Sequence, residues 1–521
     1  MATDSRTAGT HPVAVRTADQ VTARERWKHL TDLLGGTQRM RGSDYSREWL
    51  PKWDGEEIST WNNRLKQSFL YPAFRDTVDK LSGRPFAKRP VQLINGDSLD
   101  QRLLDIERNA DKAGKNLTTF LRTWFRTGIV RGLAFNLIDF PRPEGEVNRS
   151  DELYNGVRPT WINLDPDDVV GISTDVARAT GQALMKMLRY EFFRDEPSDE
   201  FGVAKVRRIR VWTAPEYDAY GKPALDGGDR VSRGTVQVWR EEQNGWVPET
   251  DPIEHTYPGI PLVPFYTQQT GFMTAEPPLE DLGWLNIEHW QSASDQRYIL
   301  RHARVPNRFE FGVDGTREDI ETSKRKIGPA EVLRSINHEA SAGFIEIRGD
   351  AITAGERDLA TLEERMQQLG SAPLVERVST ATEAKINKGE SQTVMQSWIR
   401  LLESAAREAY LVSARWLEPG KPDEELLPED FEVDVFSDFA TQDGDPAQAD
   451  LLLRAWVAGA IPDEVFVQEW RARGILSDNV DVDEVVALMK ERVVDSIPMV
   501  DTSDDSSGNN QDGLADGTQQ A

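Results

Sequence analysis

Between residues 279 and 417 the sequence holds three long amphipathic helices, and each presents an apolar face that must find a partner. No other stretch limits the fold as strongly. The first helix is predicted over 279–304, with Leu282, Leu285, Trp290, Ala293 and Leu300 at roughly helical spacing. It stops at Pro306, which cannot continue it. Two β-like runs follow, 308–311 and 344–347, bracketing a charged segment. The second helix is predicted over 352–369, where Ile352, Leu359, Leu362, Met366 and Leu369 form a heptad-like seam. The third, 391–417, lines Val394, Trp398, Leu401, Ala405, Ala409, Val412 and Trp416 along one side. Their partner can lie within the chain or in another copy of it. Spacing alone favours the core of a monomer, because the seam spans fewer than three heptads.

Composition narrows the class. The chain has 521 residues, enough for two to four domains and a large core. Apolar residues make up 38% and charged residues 29%, the balance of a globular protein. The formal net charge is −26 and the pI about 4.8. A protein that grips nucleic acid needs a basic face, so this balance argues against a conventional DNA binder while allowing one along which DNA slides. With no cysteine, disulfides and thiolate metal sites are excluded, which fits a reducing compartment. No apolar run approaches the roughly 18 residues of a membrane span. The first residues lack the apolar block of a signal peptide, and no solenoid-length repeat is evident.

In chain order, residues 1–20 are polar and expected to be disordered. A helix is predicted over 24–34, ended by Gly35 and Gly36. The next carries Ile58, Trp61, Leu65 and Phe69 on one side, and another holds Phe74, Val78 and Leu81 before Gly83. Residues 99–131 give two more, the second buried through Phe120, Trp124 and Phe125. Residues 133–140 read as a short apolar strand stopped by Pro141 and Pro143. Residues 159–270 are β-rich, with strands predicted over 161–164, 188–193, 207–212, 235–239 and 262–266. The whole of 41–278 therefore reads as one α+β body. Residues 431–435 are a further strand candidate. Residues 446–495 read as a small helical domain with Leu451, Leu452, Trp456, Phe466, Trp470 and Val485 in its core, and 498–521 as a disordered tail.

Chemical motifs are few. The chain has no phosphate-binding G-x-x-x-x-G-K-[ST] loop, no G-x-S-x-G nucleophile elbow and no H-E-x-x-H zinc helix. Its six histidines, His11, His29, His255, His289, His302 and His338, show no metal spacing, and His289 reads as a hydrogen-bonded structural residue. Asp165, Asp167 and Asp168 read as a turn of solvated carboxylates rather than a cation site, since no further ligands follow at a Ca²⁺-loop spacing. No cofactor is called for.

The order of features resembles the portal proteins of tailed bacteriophages, of the siphovirus type. Leu50 and Pro51, then Trp61 and Arg64, then the run from Thr77 and Val78 to Gly83, Arg84, Pro85 and Phe86 are similar to that family's N-terminal signature. Gly132 and Leu133 through Asp139, Phe140 and Pro141 resemble its next segment. Ile260 to Phe265, followed by Pro277, Pro278, Leu279, Leu282, Leu285, Asn286, Ile287 and His289, give the nearest likeness. Leu452, Gly459 and Ile461, with Arg473, Gly474, Ile475 and Leu476, are similar to its C-terminal helices. Each is a packing pattern, and their joint order carries the resemblance across residues 41–495.

The resemblance implies an α+β multidomain portal fold. After an N-terminal segment (1–40, partly disordered) it places an α+β wing at 41–278 and stem helices at 279–304 and 352–370. Between them lies a small α/β clip at 305–351. A tunnel loop follows at 371–390, then a tunnel helix returning to the wing at 391–439, a helical crown at 440–497 and an acidic tail at 498–521. It implies a homo-oligomeric ring, about twelve copies around a channel for double-stranded DNA. That ring would sit at the capsid vertex of the virion and assemble in the host cytoplasm, with no membrane involved. Implied partners are the terminase large subunit, a head-tail connector or adaptor, and the major capsid protein. Arg377, Lys385 and Lys388 become DNA-channel candidates. Leu359, Leu362, Met366 and Leu369 become stem-interface candidates, and Arg308, Phe309, Phe311, Phe344, Ile345 and Ile347 clip-docking candidates. The reading is non-enzymatic. The alternatives are a hydrolase or other enzyme built on the β-rich body, although no carboxylate pair is singled out, and a monomeric acidic scaffold or adaptor.

Overall fold

A computed structural model describes residues 11–42, 44–96, 98–140, 157–198, 202–226, 230–304, 307–311, 339, 341–345, 349–374, 393–437, 446–472 and 485–489. Internal contacts divide the chain into two units, 1–437 and 438–521. The fold is α+β.

The first unit opens with helices α1 (Ala18–Leu34), α2 (Gly36–Gly42), α3 (Ser46–Trp49), α4 (Ile58–Gln67) and α5 (Ala73–Gly83). After strand β1 (Gln92–Ile94) come α6 (Gln101–Arg108) and α7 (Leu117–Arg131). Side-chain chemistry sets the ends of α7. Asn116 Oδ1 accepts from Thr119 N at 2.9 Å, and Gly132 adopts a left-handed φ of 87° that closes the last turn. A Cβ on Gly132 would stand 2.2 Å from Glu276 O, so only glycine fits.

Strands β2 (Leu133–Asp139), β3 (Thr160–Leu164) and β12 (Leu262–Tyr266) form an antiparallel sheet in the order β12-β2-β3. Six of the seven residues of β2 are buried, and consecutive strand residues point to opposite faces. The sheet is therefore covered on both sides. Helix α7 packs on it closely enough that a Cβ on Gly128 would overlap the Phe265 ring.

A larger antiparallel sheet holds β4 (Val169–Val176), β5 (Ala183–Pro197), β6 (Val203–Thr213), β9 (Gly234–Glu242), β10 (Gly245–Pro248) and β11 (Ile253–His255). Its order is β10-β9-β6-β5-β4, with β11 also on β9. Two small ladders join β7 (Leu225–Asp226) to β8 (Arg230–Val231) and β13 (Gln269–Gly271) to β14 (Thr274–Ala275). Residues 11–20, expected to be disordered, are ordered against this larger sheet. Val13 is buried with Val170 and Ile209, and Arg189 Nη1 donates to the carbonyls of Pro12 (2.8 Å) and Val13 (3.0 Å). Helix α1 consequently begins at Ala18, six residues before the predicted start.

Then come α8 (Glu280–Arg304), β15 (Asn307–Phe311), β16 (Ser341–Ile345), α9 (Gly349–Ser371), α10 (Val394–Leu417), α11 (Asp423–Leu426) and β17 (Glu432–Asp434). A reciprocal capping box starts α10: Thr393 Oγ1 accepts from Gln396 N, and Gln396 Oε1 accepts from Thr393 N. This helix lies in the core of the body. Trp161 Nε1 donates to Ser413 Oγ at 2.9 Å, and Trp416 Nε1 donates to the Ile138 carbonyl at 3.0 Å. Of its predicted stripe, Trp398, Ala405, Ala409, Val412 and Trp416 are buried, Val394 is half-buried and Leu401 is exposed. Ile58 and Phe69, expected on the buried side of α4, are exposed, while Trp61 and Leu65 are buried. Strand β17 pairs with β1, stitching the end of the unit to its first third.

The second unit contains α12 (Pro446–Val457) and α13 (Asp463–Ala472). Phe466, Val467 and Val486 form its core, with Leu452, Trp456, Trp470 and Val485 against them. Leu451, a predicted core residue, is 69% exposed. It neighbours Leu452 in sequence and so points away from the face that Leu452 presents.

Candidate assembly and channel elements

Helices α8 and α9 pair antiparallel, and polar rungs set their register. Gln296 Nε2 donates to the Ile352 carbonyl at 2.9 Å, Ser292 Oγ to Asp358 Oδ2 at 2.7 Å, and His289 Nε2 lies 3.3 Å from Glu363 Oε1. The helices approach closely at Gly355, where a Cβ would fall on the Gln296 side chain. The buried side of α8 is itself polar. Asn286 Oδ1 accepts from Phe74 N (3.0 Å) and its Nδ2 donates to the Tyr71 carbonyl (2.9 Å). Asn286 thereby serves the first turn of α5, whose N-cap Pro72 offers no side-chain acceptor. Ser294 joins Ser68 at 2.9 Å.

The base of the pair is tied to the body by charge. Arg26 grips Glu280 through two nitrogens and reaches Glu276 at 2.7 Å. Arg64, buried in α4, donates to both oxygens of Glu56 (3.1 and 3.0 Å), to the Pro51 carbonyl (2.7 Å) and to Asp295 of α8 (3.3 Å). Its guanidinium lies 4.0 Å from the centre of the Trp53 ring. Burial pulls the Glu56 carboxyl up, but hydrogen bonds from Arg64 and Trp53 N outweigh it and hold it below its ordinary value. Burial pushes Asp295 up, against the opposing pull of Arg64. Nearby, His29 is fully buried and stacks at 4.2 Å on the half-exposed Trp284, and its pKa is lowered to about 4, mainly by burial.

Toward the hairpin the helix pair loses this cover. Beyond Gln296 no described side chain of α8 is buried, and α9 has none before Leu362. Strands β15 and β16 pair only with each other among the described residues, Asn307 opposite Ile345, Arg308 opposite Phe344, Phe309 opposite Gly343 and Phe311 opposite Ser341. The two β-like runs thus meet within one chain, with two outer edges still open to pairing among the described residues.

The predicted site residues separate into groups. Leu362 and Met366 are buried inside this chain, 2% and 1% exposed, where α9 meets α5 and α8. The intersubunit seam is corrected at these two positions, because side chains already packed within the chain are not free for a neighbour. Leu359 is half-buried and Leu369 is 39% exposed. The clip candidates Arg308, Phe309, Phe311, Phe344 and Ile345 lie on the β15–β16 ladder, whereas Ile347 lies outside the described residues. Arg377, Lys385 and Lys388 also lie outside them.

The acidic turn is held by arginines. Asp165 Oδ1 accepts from Asp167 N at 2.9 Å, Arg131 lies 3.4 Å from Asp165, and Arg24 Nε bonds Asp167 at 2.7 Å. Asp168 is pushed up to about 6 by burial and by the charges of Asp165, Asp167 and Glu191. Among the described residues no group of three His, Asp or Glu side chains could hold a metal ion, and no helix is long and apolar enough to cross a membrane. Asn286 belongs to the residues that carry the resemblance, whereas Ser292, Ser294 and Gln296 were not singled out from sequence. Ser292 and Gln296 stand at i+3 and i+7 from His289, a polar stripe at helical spacing on the side that meets α9.

Residues 278–417, from the start of α8 to the end of α10, match a family described as a domain of unknown function (DUF4055). No curated protein matches the chain. Among solved structures, a chain of the "Neck of native GTA particle computed with C12 symmetry" is 14% identical, covers 82% of this chain and 90% of its own, and has a TM-score of 0.32. For the "Virion of native gene transfer agent (GTA) particle" the values are 14%, 81%, 94% and 0.33. For the "Neck of empty GTA particle computed with C6 symmetry" they are 13%, 80%, 90% and 0.32.

Proposed function

We propose that the chain is the subunit of a portal-type ring, a structural component of a tailed-phage-like virion. The ring would conduct double-stranded DNA at the capsid vertex during packaging and ejection. The observation that carries this reading is the antiparallel pair α8–α9. It is anchored at its base, half-exposed toward its far end, and carries a two-stranded hairpin there. Such a pair suits lateral contact between neighbouring copies, and open hairpin edges suit docking of a packaging motor and then a connector. The ordered sequence resemblance across residues 41–495 points the same way.

A dozen chains at −26 each carry a charge on the order of −300, so long-range attraction does not hold the duplex. An acidic passage repels DNA weakly on every side and keeps it from sticking. Local contact would come from the 371–390 loop, through Arg377, Lys385 and Lys388. Native mass spectrometry of the purified chain tests the reading: a ring of about twelve 58.8 kDa subunits has a mass near 700 kDa. A monomer under all assembly conditions overturns it in favour of the scaffold or enzyme alternatives.

A further inference from the structure

We infer that the outward surface formed by α5 and α7 is a second contact site for the phosphate backbone of double-stranded DNA. This deepens the conduit reading above and rests on it. The first observation is charge segregation. Between Arg64 and Arg131 the sequence holds fourteen Lys and Arg against seven Asp and Glu, in a chain whose net charge is −26. Some of these cations are internal: Arg64, Arg102 and Arg131 are buried. Four others, Lys80, Arg84, Arg122 and Arg126, gather where the two helices pack antiparallel. Arg126 Nη2 bonds Asp79 at 3.0 Å, and one turn along, a Cβ built on Gly83 would stand 3.5 Å from Arg122 Nη2.

Lys80 and Arg84 lie one turn apart beside those rungs, and Arg122 and Arg126 lie one turn apart across from them. Lys80 and Arg122 are exposed and form no ion pair among the described residues, while Arg84 and Arg126 are half-buried. The 3-10 turn Arg84–Phe86 holds this edge in place, with Phe86 set edge-on against Phe125 at 6.2 Å. Part of the sequence signature, Gly83 to Phe86, therefore builds a corner of this basic face.

The chemistry of the face selects its ligand. The outward stripe of α7 is Thr119, Arg122, Thr123 and Arg126, hydroxyls and guanidiniums suited to phosphate oxygens. A protein interface would centre on apolar or aromatic anchors. Among the described residues 72–131, Ile94 is the one exposed large hydrophobic side chain, and it belongs to β1. Single-stranded nucleic acid would want a run of stacking rings, whereas among the described residues Tyr71 alone offers an exposed ring beside Lys80. The ligand is therefore a duplex read through its backbone, without base contacts.

The test uses the full-length chain and a labelled 24-base-pair duplex of mixed sequence, titrated by fluorescence anisotropy across 50–200 mM salt. Native mass spectrometry of the same samples reports assembly. For Lys80→Gln with Arg122→Gln the expected result is weaker binding, with the log–log salt slope reduced by about 1.8, roughly 0.9 per lost phosphate contact. Asp79→Asn, which removes the carboxylate between the cations, should tighten binding several-fold, and shuffling the duplex sequence should change nothing. Unchanged affinity and slope in both variants overturn the inference. A double variant that binds duplex normally but loses its oligomer also overturns it, and makes the face a contact between copies. Assembly of the wild type without duplex binding sinks this site and leaves the ring reading standing. Duplex binding by a monomer that never assembles does the reverse.

Discussion

Replacing Arg64 by Met keeps an unbranched apolar stem and removes the guanidinium and its charge. In the folded chain Arg64 and Glu56 are both nearly inaccessible, their side chains 3% and 2% exposed. Removing one member of such a pair leaves the other buried and uncompensated, which costs about 3–5 kcal/mol. Asp295, half-exposed, loses its cation as well. The pH dependence follows from the carboxylates. Glu56 is depressed in the folded protein, so it contributes stability above its unfolded value of 4.5 and loses that contribution as pH falls through the folded value. In Arg64→Met burial acts on Glu56 without the guanidinium, its folded pKa rises above 4.5, and the variant gains stability as pH falls. The gap between wild type and variant is therefore widest near pH 7 and narrows toward pH 4. Urea unfolding followed by tryptophan fluorescence at pH 7 and pH 4.5 measures both quantities, and adding Glu56→Gln to the variant should restore much of the loss. A cost under about 1 kcal/mol at pH 7, the range of an exposed ion pair, would refute the reasoning.

Leu362→Ala should cost about 2–4 kcal/mol in unfolding experiments, because its side chain is buried within the chain. Leu369→Asp should leave that stability nearly unchanged and weaken only the oligomer, as read by native mass spectrometry. Gly132→Ala should destabilise by more than the roughly 1 kcal/mol of left-handed strain, since its Cβ meets Glu276 O, and thermal unfolding checks it. His29 is buried neutral with its pKa lowered from 6.5 to about 4, so the unfolded chain takes up its proton first as pH falls. Stability should drop between pH 6.5 and 4 by up to about 3 kcal/mol from this group, and His29→Leu should flatten that part of the curve.

Periodicity located the long helices to within a few residues, because their apolar stripes and stop signals are local. It did not identify their partners. The seam on α9 has the spacing of a coiled coil, yet Leu362 and Met366 meet α5 and α8, which lie far away in sequence. Ile58 and Phe69 show the same limit, since an apolar residue in a helical register can face solvent. The docking of residues 12–16 was hidden because this short apolar segment, Pro12 to Arg16, is too brief to show a period and is ordered only by the sheet it lies on. The network around Arg64 joins residues 231 apart, and no local pattern reveals it. The basic face on α5 and α7 was legible in charge counts over the right window, but its separation from the internal arginines needed the packing.

The pairing of β1 with β17 bears on how the body is made. Asn95 Nδ2 bonds the Asp430 carbonyl across 335 residues, and closing a loop of that length costs on the order of 5 kcal/mol of chain entropy. A ribosome adding 5–20 residues per second needs roughly 17–70 s to travel that distance. Residue 266 completes the β12-β2-β3 sheet, and until α10 begins at 394, 128 residues and roughly 6–26 s later, Trp161 lacks the helix that accepts its indole hydrogen bond. A nascent chain of this kind is at its most aggregation-prone late in synthesis. A version cut before residue 394 would keep both of its larger sheets and still lack the centre of the body.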